Sequence, residues 1–258
     1  MTTEAATRRM SGAPCWVSLM AHSLSATQEF YGALFDWEFR PGPQHLGPYA
    51  RAFINGREVA GLGELAPDRQ LPGAWTTYLA SDDADATAEQ IRCCGGTVGV
   101  GPLDADDAGR MAIAVDPQGA VFGIWQGRAM TGTAAVGEPG TPVWNELVTQ
   151  ETHAVGPFYE NVFGYTSQAV VSADFDYLTL CLNGQAVAGI HGVGQALPPD
   201  RGAHWMTYFA VPDTDTAARR VVELGGQVLH APRDSAHGRL AVAADSEGAV
   251  FTLVQPAA

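Results

Sequence analysis

The amino-acid sequence repeats itself once along its length, and this duplication restricts the possible folds more than any other feature. Phe30-Tyr31 matches Phe158-Tyr159 at an offset of 128 residues. Trp75 matches Trp205 at an offset of 130 residues, because small insertions separate the two positions. A repeat of about 115 residues is far longer than one turn of a solenoid. The sequence therefore predicts a duplicated domain rather than a repeat array.

The duplication divides the chain into four parts. Residues 13–127 form the first half and residues 141–256 form the second half. Residues 1–12 are predicted to be a disordered tail. Residues 128–140 are rich in Gly and Ala and show no apolar periodicity, which predicts a flexible to semi-extended linker.

Local signals within a half alternate between strand and helix. Asn55-Gly56 between two apolar runs predicts a β-hairpin. Ser25 followed by Gln28 fits a capping box at the start of a helix over 25–35. A second helix over 84–94 ends at Gly95-Gly96. The pattern is strand–helix–strand–strand–strand, and it occurs twice in each half.

The composition excludes several classes of protein. The chain has 258 residues with 28 acidic side chains against 14 basic ones, all Arg, and a net charge of −14. This balance argues against nucleic-acid binding and favours cationic partners. No apolar run reaches the roughly 18 residues of a membrane span, and the first residues lack the apolar segment of a signal peptide. The four Cys fit no zinc motif, so a reduced, cytoplasmic protein is predicted.

A family resemblance rests on short motifs that recur in order in both halves. In the first half they are Phe30-Tyr31 with Leu34-Phe35-Asp36-Trp37, Asp82-Asp83, Gly95-Gly96 and Asp116-Pro117-Gln118-Gly119. The chain resembles the vicinal-oxygen-chelate superfamily, which includes glyoxalase I, bleomycin resistance proteins and extradiol dioxygenases. The resemblance implies an α+β fold of tandem glyoxalase-like domains, each with two βαβββ units that curl a mixed sheet around a cavity.

The resemblance also implies a divalent metal held by His, Gln and Glu, on the first and last strands of paired units. In this chain none of the six corresponding positions holds such a ligand. His191 and Glu146 are the remaining candidates, and they are short of the three protein ligands that a catalytic site usually needs. The sequence therefore predicts no metal, no cofactor and no catalytic residue. The six positions are Trp16, Thr76 and Gly123 in the first half, and Trp144, Met206 and Thr252 in the second.

The side chains at and near these positions predict a ligand site of another kind. Strand alternation places Trp, Tyr and Met on the face that the family uses for its cavity. Such a surface suits a flat aromatic ligand, and Glu146 favours one that carries an amine. The alternative is that the aromatic side chains simply fill the interior. The predicted ligand-binding residues are Trp16, Ser18, Met20, Tyr78, Trp125, Trp144, Glu146, His191, Met206, Tyr208 and Thr252.

Two classes of function follow from this interpretation. The first is a binding protein that sequesters or chaperones a bulky aromatic natural product, such as an anthracycline, in self-resistance or biosynthesis. The second is an atypical enzyme of the family: a lyase, isomerase, hydroxylase or cyclase. The missing ligands favour the first class, although a housekeeping protein with another small ligand is also compatible with the sequence. A tandem chain supplies its own partner domain, so a monomer is expected.

Overall fold

The computed structural model describes residues 9–43, 47–66, 71–170, 176–235 and 237–257. Residues 1–8 of the predicted tail lie outside the described residues. The first half contains β1 (Pro14–Ala21), α1 (Leu24–Phe35), β2 (Glu38–Pro41), β3 (Tyr49–Ile54), β4 (Arg57–Glu64), β5 (Ala74–Ala80), α2 (Ala84–Cys93), β6 (Thr97–Ala105), β7 (Gly109–Val115) and β8 (Val121–Gly127). The second half contains β9 (Pro142–Thr149), a 3₁₀ turn (Thr152–Ala154), α3 (Gly156–Phe163), β10 (Thr166–Ala169), β11 (Asp176–Leu182), β12 (Gln185–Gly192), a 3₁₀ turn (Gly194–Ala196), β13 (His204–Ala210), α4 (Thr214–Glu223), β14 (Gln227–Ser235), β15 (Gly238–Ala244) and β16 (Val250–Pro256).

Each half forms one eight-stranded mixed sheet. The strand order is β2-β3-β4-β1-β5-β8-β7-β6 in the first half and β10-β11-β12-β9-β13-β16-β15-β14 in the second. The two orders are identical once the strands are renumbered. In the first sheet β1 pairs parallel with β4, and β5 pairs parallel with β8. The predicted α+β fold of tandem glyoxalase-like units is therefore confirmed.

The hairpin predicted at Asn55-Gly56 connects β3 and β4. Both residues have a positive φ, 50° and 74°, as the type I′ turn requires. The second half repeats the turn with Asn183 at 50° and Gly184 at 78°, between β11 and β12. These sequence pairs are therefore identical for a conformational reason.

The first helix begins earlier than predicted. Ser23, not Ser25, is its N-cap: the Ser23 side chain accepts a hydrogen bond from the backbone N–H of Ala26 at 3.3 Å. Ser23 has the extended backbone of a cap residue, whereas Ser25 already lies within α1. In α2, Asp83 is the N-cap and accepts from two backbone N–H groups at 3.0 Å.

Two compact units are distinguished by their internal contacts. Unit 1 comprises the described parts of Met1–Trp16, Thr77–Gly132 and Asn145–Trp205. Unit 2 comprises the described parts of Val17–Thr76, Thr133–Trp144 and Met206–Ala258. Each unit therefore combines one βαβββ segment of the first half with one of the second. The boundaries 13–127 and 141–256, taken from the repeat, stay predictions.

The core of unit 1 lies around helices α2 and α3. Ile91 from α2 and Tyr159 from α3 are fully buried with Phe122 of β8 and Leu180 of β11. Burial of four side chains of this size stabilises the unit by several kcal/mol, at roughly 1.5–3 kcal/mol each.

The core of unit 2 is arranged in the same way around α1 and α4. Tyr31 of α1 and Val221 of α4 are buried with Leu62, Phe209 and Phe251 from the strands. Tyr31 stacks on the ring of Phe35 and on that of Trp37, which makes this an aromatic core.

The second part of the predicted linker is held against unit 2. Ala135 is fully buried, and the Thr133 hydroxyl donates to the Val59 carbonyl at 3.2 Å. The Trp37 indole N–H donates to the Gly140 carbonyl at 2.9 Å. Residues 133–140 are therefore docked rather than flexible, because small side chains let the backbone approach the core closely.

Candidate functional site

Residues of the inner strands alternate between the helix-packed core and the opposite face of the sheet. On β1, Val17 and Leu19 belong to the core of unit 2, so Ser18 between them points away from it. On β9, Leu147 belongs to the core of unit 1, so Glu146 lies on the opposite face. This is the alternation from which the ligand-binding residues were predicted. Their binding of a ligand stays a prediction.

The six positions that correspond to the family's metal ligands supply no usable donor set. Four are Trp, Gly or Met side chains, and the two Thr hydroxyls are weak ligands for Zn, Mn or Fe. Within the described ranges, no three His, Cys, Asp or Glu side chains come close enough to hold a metal ion. The residues present therefore do not fit the metal that the fold family implies.

Three of the predicted first-half residues form a compact cluster in unit 1. Trp16 and Trp125 are buried together with Cys15, and Tyr78 packs against them. The Trp125 indole N–H donates to the Met130 carbonyl at 2.8 Å, which fixes the ring. Burial raises the pKa of Cys15 to about 12, so this thiol is unreactive. In this part of the first half, the aromatic residues fill the space themselves.

A glycine explains how the Tyr78 ring is accommodated. Tyr78 of β5 pairs with Gly123 of β8, and a Cβ at Gly123 would overlap the Tyr78 ring. The ring therefore lies directly on the strand. In the second half the same pair is Tyr208 and Thr252, and Thr252 has a branched side chain. Tyr208 therefore needs a different position from that of Tyr78.

The other predicted residues of the first half, Ser18 and Met20, lie in unit 2. The Ser18 hydroxyl shares a hydrogen bond with the Tyr49 hydroxyl at 3.3 Å. A Cβ at Gly63 would lie 2.6 Å from the Met20 sulfur, so the thioether covers this glycine. The group contains no Asp, Glu, His or Arg side chain.

Glu146 and His191 lie together in unit 1. The Glu146 carboxylate Oε1 is 3.4 Å from the His191 ring Nδ1. The Glu146 side chain is only 8% exposed, whereas the His191 side chain is 25% exposed. A buried carboxylate that orients a more accessible imidazole is an arrangement able to bind a cation or to transfer a proton. The structure thus brings together the two ionisable residues that the sequence singled out.

Tyr177 completes this group, and sequence reasoning missed it. The Tyr177 ring lies 5.9 Å from the His191 ring, and its hydroxyl lies over Gly189, the strand partner of Glu146. A Cβ at Gly189 would overlap the hydroxyl. The repeat itself contained the signal, because Tyr177 matches Tyr49 at the offset of 128 residues. We refer to Glu146, His191 and Tyr177 as the acidic group.

The remaining predicted residues of the second half belong to unit 2. Met206 and Thr252 are buried, whereas Trp144 and Tyr208 are half-buried. Trp144 is more exposed than Trp16, its equivalent, which is only 4% exposed. At this position the Trp side chain of the second half is therefore the more accessible of the two, whereas Tyr78 and Tyr208 are both half-buried.

Two further buried carboxylates serve the fold. Asp116 of unit 1 accepts from the backbone N–H groups of Gln118 and Ala120 and from the Tyr159 hydroxyl, and the Trp205 indole N–H donates to that hydroxyl. The last two bonds are 3.0 Å long. Burial raises the pKa of Asp116, although the hydrogen bonds oppose this shift. We call this arrangement the Trp–Tyr–Asp chain.

Unit 2 contains the same chain. The Trp75 indole N–H donates to the Tyr31 hydroxyl at 3.0 Å, which donates to Asp245 at 3.0 Å. Asp245 also accepts from the backbone of its own turn, and burial raises its pKa. These carboxylates hold the turns before β8 and β16, and are not available to a ligand.

The sheet order and the βαβββ segments define a protein of the vicinal-oxygen-chelate fold class. The crystal structure of an Mn(II)-bound glyoxalase from Novosphingobium aromaticivorans superposes with a TM-score of 0.66 at 17% identity, covering 95% of this chain and 82% of that one. The resemblance predicted from the sequence motifs is confirmed at the level of the fold.

Sequence comparison defines the family more closely. A family model described as a glyoxalase-like domain matches residues 145–254. CFP32 of Mycobacterium tuberculosis, which carries the provisional name glyoxylase, is 38% identical over 255 residues, 95% of each chain. The anthracycline biosynthesis protein DnrV of Streptomyces peucetius is 34% identical over 268 residues, covering 96% of this chain and 95% of DnrV. The chain belongs to the glyoxalase-like family and has relatives in anthracycline biosynthesis.

The helices of the described residues are all too short or too polar to cross a lipid bilayer.

Proposed function

We propose that this protein binds a bulky, planar aromatic natural product without a metal ion, and that it sequesters or chaperones this compound in biosynthesis or self-resistance. The observation that carries the proposal is the set of side chains at the positions where the family holds its metal. In the second half they are Trp144, Met206 and Thr252, with Tyr208 nearby on the same strand as Met206. Aromatic rings and a thioether favour stacking with a flat ligand rather than metal binding.

The relatives support this proposal. DnrV is named for anthracycline biosynthesis, and its similarity to this chain extends over nearly the full length of both proteins. An anthracycline has the planar ring system that the half-buried Trp144 and Tyr208 rings suit.

Calorimetric titration with daunorubicin, an amino-sugar anthracycline, tests the proposal. We expect a Kd in the micromolar range or below, and about tenfold weaker binding by the W144A variant, because rigid aromatic side chains dominate such contacts. V222A is the control, since Val222 is an apolar side chain on α4 that is 58% exposed, and its Kd should match the wild type. The absence of binding to daunorubicin and to a panel of other planar polyketides at about 0.1 mM would refute the proposal.

The metal-free part of the proposal has its own test. We expect elemental analysis of the purified protein to give well below one equivalent of any transition metal, and chelation to leave the Kd for daunorubicin unchanged. One equivalent of bound metal, together with loss of binding after chelation, would show that a metal takes part.

We also propose that the protein acts in the cytoplasm as a monomer. Its four Cys are unpaired thiols, as a reducing compartment favours. The two sheets have the same strand order, so one chain already contains two domains of the same kind. Sedimentation velocity should give the mass of one chain at micromolar concentration; a stable dimer would contradict the monomer proposal.

A metal-independent enzyme is the second candidate, and the acidic group is the observation that favours it. His191 oriented by Glu146 is a suitable general base, and Tyr177 is a suitable acid, for an isomerase or cyclase. The base would remove a proton from a carbon next to a carbonyl, and the acid would protonate the enolate oxygen. Conversion of a polyketide by the wild type, but not by H191N, would establish this candidate.

A further inference from the structure

Three carboxylates are buried in the part of the chain that the structure describes: Asp116, Asp245 and Glu146. Asp116 and Asp245 are equivalent in the repeat, and each is occupied by two backbone amides and a tyrosine hydroxyl. Glu146 differs from these two carboxylates because it has no equivalent acid in the other half, where Ser18 occupies the corresponding position. The fold can therefore be built without a carboxylate at this position.

A residue whose side chain contacts Glu146 also differs between the two halves. His191 of the second half corresponds to Gly63 of the first, at the same offset of 128 residues. The first half thus has a Ser and a Gly where the second half has a Glu and a His at 3.4 Å. Both differences introduce ionisable groups, and they lie in contact. A paired change of this kind points to a function that only the second half performs.

The surroundings of Glu146 suit a cation. The carboxylate is nearly buried and lies beside a partly exposed imidazole, which leaves a negatively charged side chain next to an accessible edge. The Tyr177 hydroxyl over Gly189 and the partly exposed His191 ring place further polar atoms beside it. Hydrogen bonds between an ammonium group and a carboxylate are short and strong in such an environment.

A neighbouring acidic residue, Asp176, is engaged elsewhere. Its carboxylate accepts from the Thr152 backbone N–H at 2.9 Å and from the Thr152 hydroxyl at 2.5 Å. Asp176 therefore holds the 3₁₀ turn that follows β9 and is not a member of the acidic group.

We propose that the acidic group binds the ammonium group of an amine-bearing aromatic ligand, and that the second half is the half that binds it. This inference rests on the proposed function and specifies the chemistry of the ligand. Glu146 supplies the negative charge, and the His191 ring and the Tyr177 hydroxyl lie beside it. The first half, with Ser18 and Gly63, provides no such anchor.

Two probes that differ at one nitrogen, which is charged in the first and a neutral amide in the second, test the inference together with the E146Q variant. Daunorubicin carries an ammonium group on its sugar, and N-acetyldaunorubicin carries a neutral amide at the same nitrogen. The fluorescence anisotropy of the anthracycline ring gives the Kd of each. We expect the wild type to bind daunorubicin about 10- to 100-fold more tightly than the acetylated probe. In E146Q this preference should fall to near unity, with binding of the acetylated probe retained.

The control variant is E151Q. Glu151 also lies beside a His, with its Oε2 3.3 Å from His153 Nε2, but its side chain is 58% exposed. E151Q removes the same charge from the same half, so the preference for daunorubicin should persist. If E151Q lowers the preference as much as E146Q does, net charge rather than the acidic group attracts the amine, and the inference is wrong.

The remaining outcomes separate the inference from the proposed function. If the wild type binds both probes with the same Kd, the anchor is refuted while the proposed function stands. Equal weakening of both probes by E146Q shows that Glu146 acts on the fold, which also refutes the anchor. If neither probe nor any other planar polyketide binds the wild type, the proposed function fails and the anchor fails with it.

Discussion

The Trp–Tyr–Asp chain of unit 1 gives a quantitative prediction for the Y159F variant. The Tyr159 hydroxyl is fully buried, accepts from the Trp205 indole N–H and donates to Asp116. Its removal loses a hydrogen bond to a carboxylate, worth about 1.5–3 kcal/mol, and leaves a buried indole N–H unpaired at a cost of about 1–3 kcal/mol. We expect a loss of about 3–5 kcal/mol in the free energy of unfolding, measured by urea denaturation.

The cost of Y159F should also depend on pH. Burial raises the pKa of Asp116 in the folded state. The stability that this carboxyl contributes is therefore fully present below its pKa in the unfolded chain, about 3.9. It is lost as the pH rises through the pKa of the folded state. The Tyr159 hydrogen bond opposes this rise. In Y159F the pKa of Asp116 in the folded state rises further, so the stability of the variant continues to fall to a higher pH than that of the wild type. The variant should therefore be more costly at pH 7 than at pH 4.

Two results would refute this reasoning. A loss below about 1 kcal/mol would show that the hydroxyl contributes no more than an ordinary hydrogen bond. An equal loss at both pH values would show that ionised Asp116 is not the acceptor. The equivalent variant Y31F in unit 2 provides an independent repetition, because Trp75, Tyr31 and Asp245 form the same chain at the same distances.

Three other substitutions test the fold. G123A should lower the free energy of unfolding by about 1–3 kcal/mol, because its Cβ would overlap the Tyr78 ring; thermal denaturation would show the change, and an unchanged Tm would contradict the packing described. D83A should cost about 1 kcal/mol in a urea titration, since it removes the cap of α2, while D83N should restore most of the loss. N55A should lower the free energy of unfolding by about 1–2 kcal/mol, because Asn55 has a φ of 50° that Ala adopts only at a cost. N55G should leave the free energy of unfolding nearly unchanged in the same urea titration. Equal effects of the two variants would show that the positive φ is not the reason.

The repeat and its local signals were sufficient to predict most of the fold. The Asn-Gly turns were predictable because few residue pairs allow two successive positive φ values. The cap of α1 was misplaced by two residues, since Ser23 and Ser25 both have the chemistry of a cap and the backbone decides between them. The short edge strand β2 was not located individually, because its exposed residues carry no apolar alternation.

The combination of segments in each unit could not be predicted from the sequence. Tyr31 and Asp245 are 214 positions apart, and both belong to motifs found in each half. The motifs are equivalent, so the sequence cannot tell whether Tyr31 contacts Asp245 or its equivalent, Asp116. Only the packing of α1 with α4, and of α2 with α3, determines the partner.

The candidate site was predictable in part. Counting from the motifs places Trp, Thr, Gly and Met at the six positions of the family's metal ligands, and none of these is a usual ligand for such a metal. The contact between Glu146 and His191 depends on the register of β9 with β12, which no single strand reveals. Tyr177 lies on β11, which is neither the first nor the last strand of its βαβββ segment, so the six ligand positions do not point to it.

The two halves are alike at the residues that hold the fold together and differ at Glu146 and His191. The Trp–Tyr–Asp chain is the same in both units, because each unit must hold a turn and orient a helix in order to fold. Glu146 and His191 have no such duplicate: Ser18 and Gly63 occupy the same positions in a half that forms a sheet of the same strand order. A buried pair of ionisable groups contributes little net stability to a fold. The carboxylate therefore calls for an explanation outside folding, and a cationic group on the ligand is the explanation that its geometry and charge favour.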